Sequence, residues 1–265
     1  MLAPQLRKEA LCSGRFIKAA GFQIHFCTNV CFVEPKLRQE WLSPPIVLVH
    51  GLNISGRYLL PLANQLTPFA PVFVPDLPGF GLSSKCWPPL NLTGLTVILH
   101  EFITALGITK ADFVGNSFGC QIIVQLAICF PETVNCAVLQ SPTMEPCARN
   151  PIVAGFRWLQ NSMREPSSLG RLTLRENMAA GPLRATYTFL EALRDRPEEK
   201  LPKITAPTLV VWGDRDVIVS RNWAERVTQL LKHGTLKILP EVTHIANFVA
   251  PHQLRDAIVP FLGLD

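Results

Sequence analysis

Ser117 stands in Gly115-Asn116-Ser117-Phe118-Gly119, a G-x-S-x-G pattern. An apolar stretch precedes it and a helix-patterned stretch follows, which is the context a nucleophile on a sharp strand-to-helix turn requires. Such a turn has crowded neighbours, and glycines two residues to either side remove the side chains that would clash. It also sets the serine at a helix N-terminus, where free N–H groups favour negative charge. The plain alternative is a tight turn with an N-cap serine.

A serine hydroxyl needs a base to take its proton. Of the six histidines, His25 falls in an N-terminal strand pattern, His50 at a strand end, His100 in a helix and His233 just after one. His244 follows the last strand pattern in a loop that can reach over the sheet edge, so it is the expected base; His252 is second. The acid should lie between serine and base in the chain. Trp212-Gly213-Asp214-Arg215-Asp216 leaves an apolar strand. Asp216 is far enough into the loop to turn toward His244, whereas Asp214 is expected to cap or pair locally. Glu145 is a lesser alternative.

Attack on a carbonyl creates an oxyanion that fixed donors must stabilise. The backbone N–H of Phe118 is one expected donor. The other should come from the loop after His50-Gly51, from Leu52 first and Asn53 next. His50-Gly51 could also be a plain strand-end turn with a structural histidine.

These groups need elements to hold them. Residues Arg15 to Thr28 read as two antiparallel strands broken at Gly21. Strand patterns follow at Ile46–Val49, Val72–Val74, Asp112–Val114, Cys136–Leu139, Thr208–Trp212 and Leu236–Leu239. Helical spacing runs over Arg57–Leu66, Leu95–Leu106, Cys120–Phe130, Arg221–Leu231 and His252–Phe261. The alternation predicts an α/β fold with a mostly parallel sheet covered on both faces. From Thr143 to Lys203 no buried strand pattern appears, so this stretch reads as a helical insertion. The expected organisation is a core of residues 1–142 and 204–265 and a cap of 143–203.

Composition narrows the function classes. The 265 residues are 48% apolar and 17% charged, which supplies a core and argues against disorder. The net charge is +5 without a basic run, so no nucleic-acid footprint is expected. No apolar run reaches the ~18–20 residues of a membrane span. The first 30 residues lack the pattern of a secretory signal. The eight cysteines form no C-x-x-C pair, so neither a metal site nor a disulfide framework is expected; Cys120, Cys129 and Cys136 read as small core residues. A cytoplasmic enzyme without cofactor follows as the default, and a homo-oligomer is allowed.

With these residues in place, the chain resembles the α/β-hydrolase superfamily over nearly its whole length. The landmarks are His50-Gly51, the Asp76 to Gly81 loop, Gly115 to Gly119, Gly213 to Asp216 and His244. The resemblance implies an eight-stranded sheet with a helical cap after the sixth strand, and metal-free serine hydrolysis. Within the superfamily, Asn116-Ser117 and the Glu199 to Pro202 segment leading into Ala206-Pro207-Thr208 are similar to bacterial esterases and to meta-cleavage-product hydrolases, which cut carbon–carbon bonds. Those hydrolases often carry an aromatic residue after the catalytic histidine, where this chain has Ile245. Epoxide hydrolase and dehalogenase chemistry in this fold uses a carboxylate nucleophile, which Ser117 opposes.

Ester hydrolysis therefore ranks ahead of carbon–carbon cleavage. Acyl transfer, lyase and cofactor-free peroxidase chemistry stay open, as does a non-catalytic binding module using the cap pocket. The substrate is expected to be small and largely apolar, held beneath the cap. At least half of Phe156, Trp158, Met163, Met178, Tyr187 and Phe189 are expected to pack the cap against the sheet, with the rest, Trp158 among them, lining the pocket. Carbon–carbon cleavage would also need a carboxylate anchor, for which Arg184 and Arg194 are the candidates. Asn116 could help hold such a substrate, or could simply brace the turn.

Overall fold

The computed structural model describes residues 14–30 and 43–264. Cys12 and Cys31 lie outside the described residues. Among the described residues eight strands form one sheet: β1 (Arg15–Ala19), β2 (Phe22–Thr28), β3 (Ile46–Val49), β4 (Val72–Pro75), β5 (Ala111–Asn116), β6 (Val134–Gln140), β7 (Thr208–Gly213) and β8 (Gly234–Leu239). Their order is β1-β2-β4-β3-β5-β6-β7-β8. The sheet is mixed: β1 runs antiparallel to β2, and β2 to β4, while every pairing from β4 to β8 is parallel. In the hairpin, Ala20 and Gly21 both take positive φ (45° and 84°), which lets two residues close the turn with Ala19 opposite Phe22.

The parallel strands are buried on both faces, and their side chains alternate between two cores. Val47, Val49 and Phe113 face the core covered by α2 (Leu92–Ala105), α3 (Phe118–Cys129) and α8 (Arg221–Leu230). Ile46, Leu48 and Val114 face the core covered by α1 (Leu60–Leu66) and α10 (Pro251–Phe261). Helix α2 starts three residues before the expected Leu95, because the Asn91 side chain caps it by accepting from Gly94 N at 2.8 Å. A four-residue helix, α9 (Ala246–Val249), follows His244; it is too short to show a helical period in sequence.

Between β6 and β7 the chain forms α4 (Pro151–Ser162), α5 (Ser167–Ala180), α6 (Pro182–Arg194) and α7 (Pro197–Lys200), with no strand among the described residues. One expectation fails here. Phe156, Met163 and Met178 do not pack toward the sheet; they are 66%, 82% and 75% exposed. On α4 the cause is a reversed amphipathic pattern. Ile152, Phe156, Leu159 and Met163 share the solvent face, whereas Arg157 and Asn161 turn inward.

Candidate active site

The site gathers where the parallel strands end. Strand β5 stops at Ser117, whose φ of 56° and ψ of −118° place it in a region L-residues seldom adopt. The tightness explains both glycines. A Cβ on Gly115 would come within 2.7 Å of Ile123 Cδ1, and one on Gly119 within 2.9 Å of the His50 carbonyl. The Ser117 N–H is anchored on the Gln140 carbonyl at 3.0 Å. Its hydroxyl opens on a cavity of about 420 Å³.

His244 arrives on the loop after β8 and is 3% exposed. Its Nδ1 lies 2.9 Å from Asp216 Oδ2. The other carboxylate oxygen accepts from the N–H groups of Ile218 (2.8 Å) and Val219 (3.0 Å), so Asp216 is oriented by its own loop. The carboxylate can thus fix the imidazole with Nε2 as the free nitrogen. Ser117 and His244 line the same cavity; among the described residues no hydrogen bond closes between Oγ and Nε2. Asp214 instead accepts from Glu241 N at 2.7 Å, and Glu145 accepts from Arg157 (2.6 Å) and Ser220 (2.7 Å). His252 is exposed on α10.

Leu52 and Phe118 both border the cavity, and among the described residues neither backbone N–H has an acceptor. A network not legible in sequence steadies the loops that carry them. Gly51 N donates to the Tyr58 hydroxyl (2.8 Å), which donates to Asn116 Oδ1 (2.8 Å). Asn116 Nδ2 reaches Gln140 Oε1 (2.5 Å) and the His244 carbonyl (3.2 Å), and Gln140 Nε2 donates to that same carbonyl (2.7 Å). Burial pushes the Tyr58 phenol well up, so it stays a donor. Asn116 borders the cavity, yet its amide is committed to this network, so it braces the turn rather than offering itself to a ligand.

His50 is structural. Burial lowers its pKa, Nε2 accepts from Leu77 N (3.0 Å), and Nδ1 therefore donates to the Gly51 carbonyl (3.0 Å). Asp76 is held below the usual carboxylate range: burial would raise it, but hydrogen bonds from His25, Leu82 N and Gly56 N outweigh that. A side chain on Gly81, at φ +52°, would overlap this carboxylate.

The helical side of the cavity does not match expectation everywhere. Trp158 does line it, as do Arg157, Asn161 and Glu165. Arg184 does not. It is buried against Gly79 and donates to the Cys86 carbonyl at 2.6 Å, tying α6 to the loop after β4. Arg194 is on the outer face of α6, its side chain 70% exposed and paired with Glu191 one turn back. Asn53 also turns away, donating to the Ala185 carbonyl at 3.1 Å. Among the described residues Arg157 is the one arginine at the cavity, and it is already paired with Glu145. Among the described residues no helix is long and apolar enough to cross a membrane.

The model of the alpha/beta hydrolase family matches residues 46–257. The chain is similar to the mouse monoacylglycerol lipase ABHD6, 22% identical over 255 residues that cover 83% of this chain and 76% of that protein. It is likewise similar to lipase 3 of Moraxella sp. (strain TA144), 24% identical over 76% of this chain and 71% of that one. Among solved structures, the meta-cleavage product hydrolase of Pseudomonas fluorescens IP01 superimposes with a TM-score of 0.73 at 20% identity, covering 94% of this chain and 97% of that chain.

Proposed function

We propose, since this chain belongs to the alpha/beta hydrolase family, that it is a serine hydrolase cleaving carboxylic esters with a largely apolar acyl half. The supporting observation is the 2.9 Å pairing of His244 Nδ1 with Asp216 Oδ2 on the cavity that Ser117 opens into. In this reading His244 Nε2 takes the Ser117 proton as Oγ bonds to the acyl carbon. The backbone N–H groups of Leu52 and Phe118 hold the oxyanion. The tetrahedral intermediate then collapses, and His244 returns the proton to the departing alcohol. Water repeats the cycle and frees the acid.

The cavity favours ester over carbon–carbon cleavage. The latter needs an anchor for a second carboxylate. Arg184 and Arg194 are directed elsewhere, and Arg157 is neutralised by Glu145. Ile54, Met144, Leu169, Phe189 and Ile218 supply an apolar wall for an acyl chain. The relatives named as lipases support the same ester class. The helices between β6 and β7 serve in this reading as the cap over the substrate.

The test is fluorophosphonate labelling, with p-nitrophenyl esters of rising chain length assayed beside a dienol-diketone acid. Labelling that maps to Ser117, and ester turnover rising with acyl length, are expected. Turnover confined to the dienol-diketone acid would reverse the ranking, and no labelling would remove the serine mechanism.

A further inference from the structure

Helix α4 turns an arginine inward where an apolar residue would be usual. Arg157 is partly buried, and its Nη1 donates twice: to Glu145 Oε2 (2.6 Å) and to the Ile218 carbonyl (2.9 Å). Glu145 Oε1 accepts from Ser220 Oγ (2.7 Å), and Ser220 caps α8 by accepting from Trp223 N (3.1 Å). Burial would raise the Glu145 carboxyl, but the hydrogen bonds from Arg157 and Ser220 outweigh that and hold it below the usual carboxylate range. The pair is therefore ionic. A partly desolvated ion pair is a poor source of stability, because well-packed apolar residues of the same volume often serve as well. What this pair fixes is geometry.

The geometry is that of the loop bearing Asp216. Asp216 Oδ1 accepts from Ile218 N (2.8 Å) and Val219 N (3.0 Å), while Oδ2 lies 2.9 Å from His244 Nδ1. The Ile218 carbonyl and the Val219 N–H belong to one planar peptide unit and point in opposite directions. A continuous chain of contacts thus runs from Arg157 through this peptide to Asp216 and on to His244. Arg157 fixes the plane from one side. Its charge also polarises the peptide, and a bond accepted at one end strengthens donation at the other. The following carbonyl, that of Val219, accepts from Trp212 Nε1 at 2.9 Å. One peptide of the loop is therefore held by β7 and its neighbour by α4.

We propose that Arg157 is a positioning residue: through the Ile218–Val219 peptide, α4 holds the Asp216 carboxylate in the orientation that fixes His244. The inference rests on the serine-hydrolase reading for what Asp216 and His244 do. Arg157 borders the cavity, but in this role it touches none of the reacting atoms. Glu145 acts one step further back, by aiming the guanidinium. The inward arginine on a helix with its apolar face in water then has a reason: it connects the helical side of the cavity to the acid of the triad.

Two measurements test this. The first needs no substrate. It follows the proton NMR resonance of His244 Nδ1, assigned by its loss in His244→Gln. The signal should be sharp in the unsubstituted protein and broaden through exchange with water in Arg157→Met, Glu145→Gln, a double substitution that strands no charge. The second is turnover of p-nitrophenyl octanoate. The double substitution should lower kcat about 10- to 100-fold with KM little changed, as expected when a catalytic group is misplaced. Glu145→Gln alone leaves the bond to the Ile218 carbonyl and should keep most of the activity. Arg157→Lys keeps the charge on a shorter stem, so both its signal and its kcat should be intermediate. In Asp216→Ala protein the carboxylate to be oriented is gone, and the double substitution should then lower kcat less than about twofold. Circular dichroism confirms folding throughout. An equally sharp signal in the double variant overturns the proposal. So does an undiminished kcat loss in Asp216→Ala protein, which would make Arg157 a substrate contact, and so does a full loss in Glu145→Gln alone, which would move the role to Glu145. Broadening in a protein that cleaves no ester would keep the coupling and defeat the ester reading instead.

Discussion

The two walls of the cavity follow opposite rules. On the sheet side, Asn116, Gln140, Asp216 and Tyr58 are tied into hydrogen bonds and His244 is held through Nδ1, while Ser117 and the backbone N–H groups of Leu52 and Phe118 border the cavity. On the helical side, Asn161 and Glu165 carry buried oxygens that accept no well-formed hydrogen bond among the described residues, while α4 turns Ile152, Phe156, Leu159 and Met163 to solvent. The first pattern fixes donors and acceptors in advance, as the proposed hydrolysis requires. The second leaves buried polar atoms unsatisfied, each at a cost of about 1–3 kcal/mol. One wall is thus closely hydrogen-bonded and the other only in part.

The largest effect that would sharpen this contrast is on the nucleophile. Ser117→Ala should lower kcat by on the order of 10⁶ while circular dichroism and the thermal midpoint stay near wild type. Retention of more than a tenth of the activity would take Ser117 out of the reaction and dissolve the division between the walls.

Next comes the network behind it. Tyr58→Phe strands Gly51 N and Asn116 Oδ1, both buried, and frees the loop carrying Leu52. A shift of the donor by a fraction of an ångström should lower kcat by on the order of 10²-fold with little change in KM. Tyr58 would act there as a positioning residue. A rise in KM with kcat intact would show instead that Tyr58 contacts substrate and would break the contrast between the walls.

How much of this was legible in sequence follows the same division. Sheet strands carry period-two or continuous apolar runs, so β3, β5 and β7 stood out, and Gly115, Gly119 and Gly213 marked turns that only glycine fits. The pairing of His244 with Asp216 could be anticipated because strand ends and chain order confine the choice. Tyr58 and Gln140 could not: they meet Asn116 from 58 and 24 residues away with no motif to connect them. Arg184 and Arg194 were misplaced because a helical period shows that a face exists, not which way it points. On α4 the usual rule, apolar inward, is reversed.

That reversal predicts a difference in stability. Leu48→Ala, wholly buried in the sheet, should cost about 2–5 kcal/mol in denaturant unfolding. Phe156→Ser and Met163→Ser, though they remove larger apolar groups, should each stay within about 0.5 kcal/mol, since these side chains are already in water. A cost above about 2 kcal/mol for either would mean that α4 buries this face in solution.

The smallest effect tests an exception on the sheet itself. At the opposite end of β5 from Ser117, Asp112 is 1% exposed. One oxygen accepts from Asn135 Nδ2 (2.7 Å) and Cys136 N (3.1 Å), and the other accepts no well-formed hydrogen bond among the described residues. Burial raises its pKa from 3.8 to about 6, against the hydrogen bonds from Asn135 and Cys136, which lower it. The folded state therefore keeps a proton that the unfolded chain has released. The stability this contributes is complete below the unfolded value and is lost as pH rises through the folded one. The rise of about two units corresponds to at most about 3 kcal/mol. Asp112→Asn removes the titration, so its stability relative to wild type should climb between about pH 4 and pH 6.5 and level off above. The difference between the proteins is the quantity to follow, because Asp76, Glu145 and Glu198 are shifted downward and make the stability of both rise with pH. A difference that stays flat would mean Asp112 is paired in solution. The sheet would then lose this exception, and the contrast with the unpaired oxygens of Asn161 and Glu165 on the helical side would sharpen.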